Sequence, residues 1–250
     1  MYGVWNSDPD ANRSRARVEL IQFLLKKGAL ANAESELVAL ATALPPDPSA
    51  HLQAAQLFSQ AHDYSGALTQ YREALHFEPS NSAALAGAGE AAYYLADYIT
   101  AQRYLEAAVN ANPQDENVRA LLAIADLVLR NNPFQGHISD VERNRRISSA
   151  FAQAEKRLTE CAHQIGVDLN ATGTPPAYPT PSQLVGLQSR WTMAKPDLDR
   201  LRSPAETDLP DTIMDVVFQI EQQTATICGQ PQGLDQALLL ISQKREAAIQ

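Results

Sequence analysis

Two stretches of this sequence correspond to one another at an interval of 34 residues. The stretch DYSGAL at residues 63–68 corresponds to DYITAQ at residues 97–102. The same interval separates three further pairs: Tyr71 and Leu105, Ala74 and Ala108, and Pro79 and Pro113. A period of this length is typical of chains built from stacked supersecondary units, because a single unit cannot bury its apolar face alone. We therefore expect an array of stacked repeats.

The 34-residue frame extends beyond these two copies in both directions. Backwards, it reaches Ser14 through Leu20, Leu24, Gly28, Ala33, Leu37 and Pro45. Forwards, Leu122 and Ala123 match before Asn131-Asn132-Pro133 ends the pattern. The frame predicts a poorly ordered lead-in, three full repeats and one extra helix, at residues 1–13, 14–47, 48–81, 82–115 and 116–130.

Small residues and prolines recur at fixed places within the repeats. The small residues that would let helix backbones approach closely are Ala55, Gly89 and Ala123 on the first helices and Ala67 and Ala101 on the second. Proline, which cannot continue a helix, ends each second helix, at Pro45, Pro79 and Pro113. These positions resemble the tetratricopeptide repeat, a helix–turn–helix unit, over about residues 14–130. The resemblance implies an all-α fold, a short superhelical solenoid of three repeats plus one extra helix.

The second half of the chain, residues 131–250, also has a helical pattern and no strand pattern. Ser139-Asp140-Val141-Glu142 is a capping box, which opens a long helix whose apolar stripe runs to Gly166. The stripe consists of Ile147, Phe151, Ala154, Leu158, Cys161 and Ile165. We expect a proline-rich loop at 169–182 and later helices at about 182–194, 210–228 and 234–248. Terminal repeats need a polar cap, so we expect this region to cap the array.

Composition and charge exclude several classes of protein. The formal net charge of −9 argues against a nucleic-acid partner, which requires a clustered basic face. The longest apolar run, residues 120–129, is about half the length of a membrane span, so no span is expected in this chain. The N-terminal ten residues have neither the basic nor the apolar segment of a signal peptide. Outside the repeats the chain resembles the helical tails of bacterial repeat proteins, some of which have an N-terminal membrane anchor, so removal of such an anchor is an open alternative.

The sequence contains no recognisable catalytic or metal-binding motif. The five histidines lie at spacings that do not match a zinc site, and no glycine-rich phosphate loop or nucleophile elbow is present. We therefore expect no catalytic residue, metal or cofactor. Arg143, Arg145 and Arg146 form a small basic cluster, for which a solvated face paired with Glu142 is favoured over an anion site.

The two cysteines, Cys161 and Cys228, fall near the ends of two predicted helices and on their apolar faces. They are either two buried thiols or a disulfide that joins the helices. A disulfide would place the protein in an oxidising compartment such as a bacterial periplasm, whereas buried thiols would favour the cytoplasm.

The resemblance also implies a binding groove. In tetratricopeptide repeats the first helix of each pair lines the concave face, which binds an extended peptide or a partner helix. Carried onto this frame, the groove residues are Gln22, Lys26, Gln53, Gln56, Gln60, Glu90 and Tyr94. Glutamine stands at 22 and 53, where relatives that clamp a C-terminal carboxylate have asparagine, so a heat-shock co-chaperone is disfavoured.

These observations lead to a non-enzymatic scaffold or adaptor that binds a protein or peptide partner, on the extracytoplasmic side of a membrane. Two alternatives remain open. One is an enzyme or enzyme subunit with its site in residues 139–250, near the proline-rich loop, Arg190 and Trp191. The other is a self-assembling structural repeat protein, since solenoid ends can stack. The sequence names neither the partner nor the oligomeric state.

Overall fold

The computed structural model describes residues 9–169, 179–201 and 208–249. Within these residues it contains twelve helices and no strand, which confirms the predicted all-α fold. The chain divides into two compact units, one ending at Ala125 and the other beginning at Asp126.

The first unit consists of helical pairs whose bounds repeat at the predicted interval. Its helices are α1 Pro9–Lys26, α2 Leu30–Ala41, α3 Pro48–Gln60, α4 Tyr64–Phe77, α5 Ser82–Tyr94, α6 Tyr98–Ala111 and α7 Glu116–Asn131, the last of which crosses the division between the units. The helices α3, α5 and α7 begin at residues 48, 82 and 116, and α2, α4 and α6 begin at 30, 64 and 98. Each start therefore follows its predecessor by 34 residues, which confirms the repeat pattern.

Helix starts in this unit are set by acidic or amide side chains at repeating positions. The N-cap oxygens of Asp63 and Asp97 accept hydrogen bonds from the backbone N–H groups of Gly66 (2.9 Å) and Thr100 (3.2 Å). First helices are capped in the same way by Asp47, Asn81 and Asp115. The corresponding position before α2 is Ala29, which has no capping side chain. The first repeat therefore lacks one local stabilising interaction that the others have. Such a cap contributes about 1 kcal/mol.

Close packing between helices depends on small residues, as the frame predicted for most of them. Ala55, Ala67 and Ala101 are completely buried. At Gly89 a Cβ would lie 2.6 Å from Leu105 Cγ, so only glycine lets α5 and α6 come this close. Ala123 is an exception: it is exposed, because it lies on the outer side of α7.

The second unit is a cluster of helices around the long α8. Its further helices are α8 Asp140–Gln164, α9 Pro179–Ala194, α10 Asp197–Arg200, α11 Leu209–Cys228 and α12 Gly233–Ile249. Helix α8 packs on α9, α11 and α12. The Trp191 ring of α9 stacks on Phe151 of α8 at 5.1 Å, and its Nε1 donates to the Phe151 carbonyl (3.3 Å). The predicted stripe is buried up to Cys161, whereas Ile165 is exposed because α8 ends at Gln164.

Two predicted boundaries differ from the structure. Helix α1 begins at Pro9, inside the range 1–13 that was predicted as a lead-in, and residues 1–8 lie outside the described residues. Helix α9 begins at Pro179, inside the range 169–182 that was predicted as a proline-rich loop, since proline is well tolerated in a first helical turn. Residues 170–178 lie outside the described part of the chain. The expectation that residues 131–250 cap the array stays a prediction.

Candidate functional site

The residues predicted to line the groove all lie on first helices, and all are exposed. Gln22 and Lys26 are on α1; Gln53, Gln56 and Gln60 are on α3; Glu90 and Tyr94 are on α5. Six of them form two series at the repeat interval: Gln22, Gln56 and Glu90, and then Lys26, Gln60 and Tyr94. Because residues 34 apart occupy equivalent places in successive helical pairs, each series is one row of side chains across three repeats. That these rows bind a partner stays a prediction.

A cleft of about 450 Å³ lies at one end of these rows, between α5 and the start of α7. From α5 it is lined by Ala86, Glu90 and Tyr94, two of which were predicted. From α7 and its N-cap it is lined by Asp115, Asn117, Val118, Ala120 and Leu121. Its size falls in the usual range of ligand-binding clefts, about 300–1,000 Å³.

Tyr94 belongs to a cluster of tyrosines that the sequence reasoning did not assemble. Its ring stacks on Tyr64 of α4, with centroids 4.5 Å apart and an interplanar angle of 20°. Tyr93 meets Tyr94 edge-on at 5.6 Å and Tyr98 edge-on at 5.7 Å. Tyr64 and Tyr98 start successive second helices at the repeat interval, and this recurrence of an aromatic residue was the signal available in the sequence.

The charge of Glu90 acts on the tyrosines beside the cleft. Burial raises the pKa of Tyr64, and the Tyr94 phenol and the Glu90 carboxylate raise it further. Burial also raises the pKa of Tyr71, a hydrogen bond to Ser59 lowers it, and Glu90 raises it again. These phenols therefore stay protonated at neutral pH and present neutral rings and hydroxyl groups.

The packing of Tyr71 beside the cleft depends on a second glycine of α5. A Cβ at Gly87 would lie 2.5 Å from Tyr71 Cε1, so the absence of a side chain makes room for the Tyr71 ring. Tyr71 is buried, and its hydroxyl lies 3.5 Å from Ser59 Oγ. Tyr71 of α4 is thus packed against α5, the helix that presents Glu90 and Tyr94.

The two cysteines are joined in the second unit. Cys161 of α8 and Cys228 of α11 form a disulfide, with Cα atoms 5.7 Å apart. This separation is usual for a disulfide. No free cysteine remains in the chain.

The basic cluster of α8 is held by acidic neighbours. Glu142 accepts from Arg145 and from Arg146, each at 2.8 Å, and these hydrogen bonds lower the pKa of Glu142 to about 2. Arg146 also donates to the carbonyl groups of Leu129 and Asn132, both at 2.9 Å. Arg146 therefore satisfies the carbonyl groups at the end of α7, a role that the expectation of a solvated face did not include.

The residues named for an enzymatic alternative have structural contacts. Trp191 is buried against Phe151, and Arg190 donates to Gln219. A cleft of about 230 Å³ between α11 and α12 is lined by Asp215, Phe218, Gln219, Gln222, Ser242, Arg245 and Glu246. The pKa of Glu221 is raised to about 9, yet this residue is fully buried and does not line that cleft.

The described residues contain neither a metal-binding cluster nor a membrane-spanning helix. Among them no group of three or more His, Cys, Asp or Glu side chains is arranged to hold a metal ion. No helix in the described ranges has the length and hydropathy to span a membrane.

Helical pairs at a fixed offset define a protein of the helical-repeat class. Residues 58–125 match the family model described as tetratricopeptide repeat. The chain is therefore a protein that contains tetratricopeptide repeats, as the sequence pattern predicted. The match runs from the end of α3 into α7 and includes Glu90 and Tyr94. Repeats of this family are protein–protein interaction modules and are generally non-enzymatic, because stacked units form extended surfaces for partners.

Proposed function

We propose that this protein is a non-enzymatic scaffold that binds an extended peptide or a partner helix along the first helices of its repeats. The observation that carries the proposal is the pair of exposed rows, Gln22–Gln56–Glu90 and Lys26–Gln60–Tyr94, which ends at the cleft between α5 and α7. Glutamine side chains both donate and accept hydrogen bonds, so these rows suit the backbone of an extended ligand.

Site-specific photo-crosslinking tests this function. A photoreactive amino acid replaces Gln56, in the middle of one row, or Glu106, an exposed residue of the second helix α6. We expect crosslinked partners at position 56 and none of the same partners at position 106. Identical products at both positions, or none at position 56, would contradict binding along the first helices.

We also propose that the protein functions in an oxidising, extracytoplasmic compartment. The supporting observation is the Cys161–Cys228 disulfide, since such bonds are rare where cellular reductants keep thiols reduced. The redox state of the two cysteines in protein taken directly from its source tests this. Two thiols that react without reductant would favour a cytoplasmic adaptor.

Self-association is a second candidate function, and exposed apolar residues of the first repeat favour it. Leu20 and Phe23 of α1 are 43% and 56% exposed, whereas their equivalents Ala54 and Leu57 of α3 are 0% and 2% exposed. Helix α3 packs on α1 and α2, whereas among the described residues no helix precedes α1 to cover its equivalent face. A second copy of this chain could continue the same stacking.

Light scattering over a range of concentrations distinguishes the candidates. A mass that rises with concentration in the wild type and stays monomeric in Phe23→Glu would support self-association. A constant monomeric mass in both the wild type and Phe23→Glu would contradict self-association. The scaffold would then be the remaining candidate function.

A further inference from the structure

We propose that the cleft between α5 and α7 receives a cationic side chain, Arg or Lys, from the peptide that the rows bind. This inference rests on the proposed function and specifies the chemistry of the partner. It follows from the ring, the charges and the apolar wall that meet at this one place.

The ring is that of Tyr94. The residue is 51% exposed although its ring stacks on Tyr64 at 4.5 Å, so the tyrosine pair is a fixed platform with accessible aromatic surface. Cations within about 6 Å of an aromatic centroid are attracted by the ring quadrupole. The protein uses the same contact elsewhere, where the Arg245 guanidinium lies 4.0 Å from the Phe134 centroid.

The charges are two carboxylates. Glu90 lies one helical turn before Tyr94, so the two side chains are neighbours on α5. Asp115 contributes from the N-cap of α7, where its Oδ1 accepts from the Val118 backbone N–H (3.1 Å). The lining residues of this cleft include no Lys or Arg, and Glu90 has no salt bridge to any described residue. The negative charge of Glu90 is therefore available to pair with a ligand.

The nearest basic side chain on α7 does not neutralise this site. Arg119 pairs with Glu116 at 3.7 Å, and it is not a lining residue. Lys26 stands at the far end of the neighbouring row, so charge across the two rows changes from positive at α1 to negative at α5. A peptide with one cationic residue is thereby oriented as well as held.

The apolar wall suits the rest of such a side chain. Ala86 of α5 and Ala120 and Leu121 of α7 line the cleft beside the carboxylates. Arg and Lys have aliphatic stems that pack on apolar surface while the charged group stays solvated or paired. A carboxylate-bearing ligand would instead meet two like charges.

Selection from a phage library of random linear peptides tests the inference. The intact protein is immobilised, and the tightest peptide is then measured by fluorescence polarisation against four proteins. These are the wild type, Glu90→Gln, Tyr94→Leu and the matched control Glu106→Gln, which removes one carboxylate from α6. We expect selected peptides to share an Arg or Lys, and either cleft substitution to weaken binding about fivefold, with Glu106→Gln unchanged.

Changing the peptide separates direct pairing from general attraction to an acidic protein. Replacing the shared Arg or Lys by Gln should weaken binding to the wild type about fivefold and have little further effect on Glu90→Gln. Peptides that bind through Gln56, as shown by loss with Gln56→Ala, but share no cationic residue would overturn this inference and leave the proposed function standing. Peptides insensitive to both Gln56→Ala and Glu90→Gln, or the absence of any binder, would overturn both.

Discussion

Cys161 and Cys228 join the last turns of α8 and α11, with their Cα atoms 5.7 Å apart and a separation of 67 positions in sequence. Cys161 is almost completely buried, and the two helices form the most extensive helix contact of the second unit. The disulfide thus constrains the part of the chain that otherwise depends on packing between helices distant in sequence.

The first prediction concerns this disulfide. Reduction, or the double substitution Cys161→Ala with Cys228→Ala, should lower the free energy of unfolding of the second unit by about 4 kcal/mol, because an open chain of this length gains entropy when unfolded. Urea unfolding with and without reductant measures the difference. The double variant is the control, since reductant should not affect it. Thiols that alkylate in unfolded, unreduced protein would contradict the prediction.

The second prediction concerns the left-handed residue in the turn of each helical pair. Gly28, His62 and Ala96 occupy this place with φ values of 71°, 61° and 55°. An L-residue with a Cβ is strained there, whereas glycine is not. Ala96→Gly should therefore stabilise the first unit by about 0.5–1 kcal/mol.

The matched substitution Gly28→Ala should destabilise by about 1 kcal/mol, since no atom lies within 4 Å of the added Cβ and only backbone strain changes. Thermal unfolding followed by far-UV circular dichroism measures both variants. Equal midpoints for the wild type and Ala96→Gly would refute the explanation from backbone strain.

The third prediction concerns pH. Glu221 is completely buried, and neither carboxylate oxygen has a hydrogen-bond partner among the described residues. Burial, and then Asp235 of α12, raise the pKa of Glu221 from 4.5 to about 9, although Arg157 of α8 lowers it. Asp235 also has a raised pKa, chiefly through burial, while its hydrogen bond from Gln153 lowers it. Near this pair, Lys156 lowers the pKa of Asp235 and Glu160 raises it.

A carboxyl with a raised folded-state pKa retains its proton when the unfolded chain has lost it. Its contribution to stability is complete below pH 4.5 and is lost progressively as pH rises to about 9. Urea midpoints measured across this window should fall with rising pH in the wild type and fall less in Glu221→Gln. Asp215→Asn, which removes an exposed carboxylate from the same helix, should retain the wild-type slope. A Glu221→Gln slope as steep as that of the wild type would show that other groups cause the dependence.

The fourth prediction concerns the contact between α5 and α6. Gly89→Ala places a Cβ 2.6 Å from Leu105 Cγ and should destabilise the first unit by about 1–3 kcal/mol. In a Leu105→Ala background the cost should shrink, because the side-chain atoms that clash are gone. Gly186→Ala is the control: the added Cβ meets no atom within 4 Å, so the better helix propensity of alanine should leave stability equal or higher. A cost of Gly89→Ala that is equal in both backgrounds would contradict the steric explanation.

The candidate site shows which of its residues and contacts a repeat frame can predict from the sequence. The frame names Glu90 and Tyr94 because position within a repeat determines which side of a first helix a residue occupies. It does not bring Tyr64 to Tyr94, because this contact joins the first helix of one repeat to the second helix of the preceding one. Asp115 was missed for a similar reason, since as an N-cap it precedes the helix that the frame predicts.

The buried acid of the second unit had a local signal that was not used. Glu221 lies four residues after Val217 and three before Thr224, both of which are on the buried face of α11. Helical spacing therefore places it on the buried face. Which groups surround it there depends on α8 and α12, which are distant in sequence.

The sequence by itself determined the elements that local spacing controls: an all-α chain, helical pairs 34 residues apart in the first unit, and the approximate bounds of the later helices. Hydrophobic period, capping residues and prolines act within a few residues, so they can be recognised without a structure. Tertiary packing alone decided the cleft between α5 and α7, the stacking of Tyr64 on Tyr94, the pairing of Cys161 with Cys228 and the burial of Glu221. Each of these brings together residues from separate helices, and their distances depend on how those helices pack rather than on any local pattern.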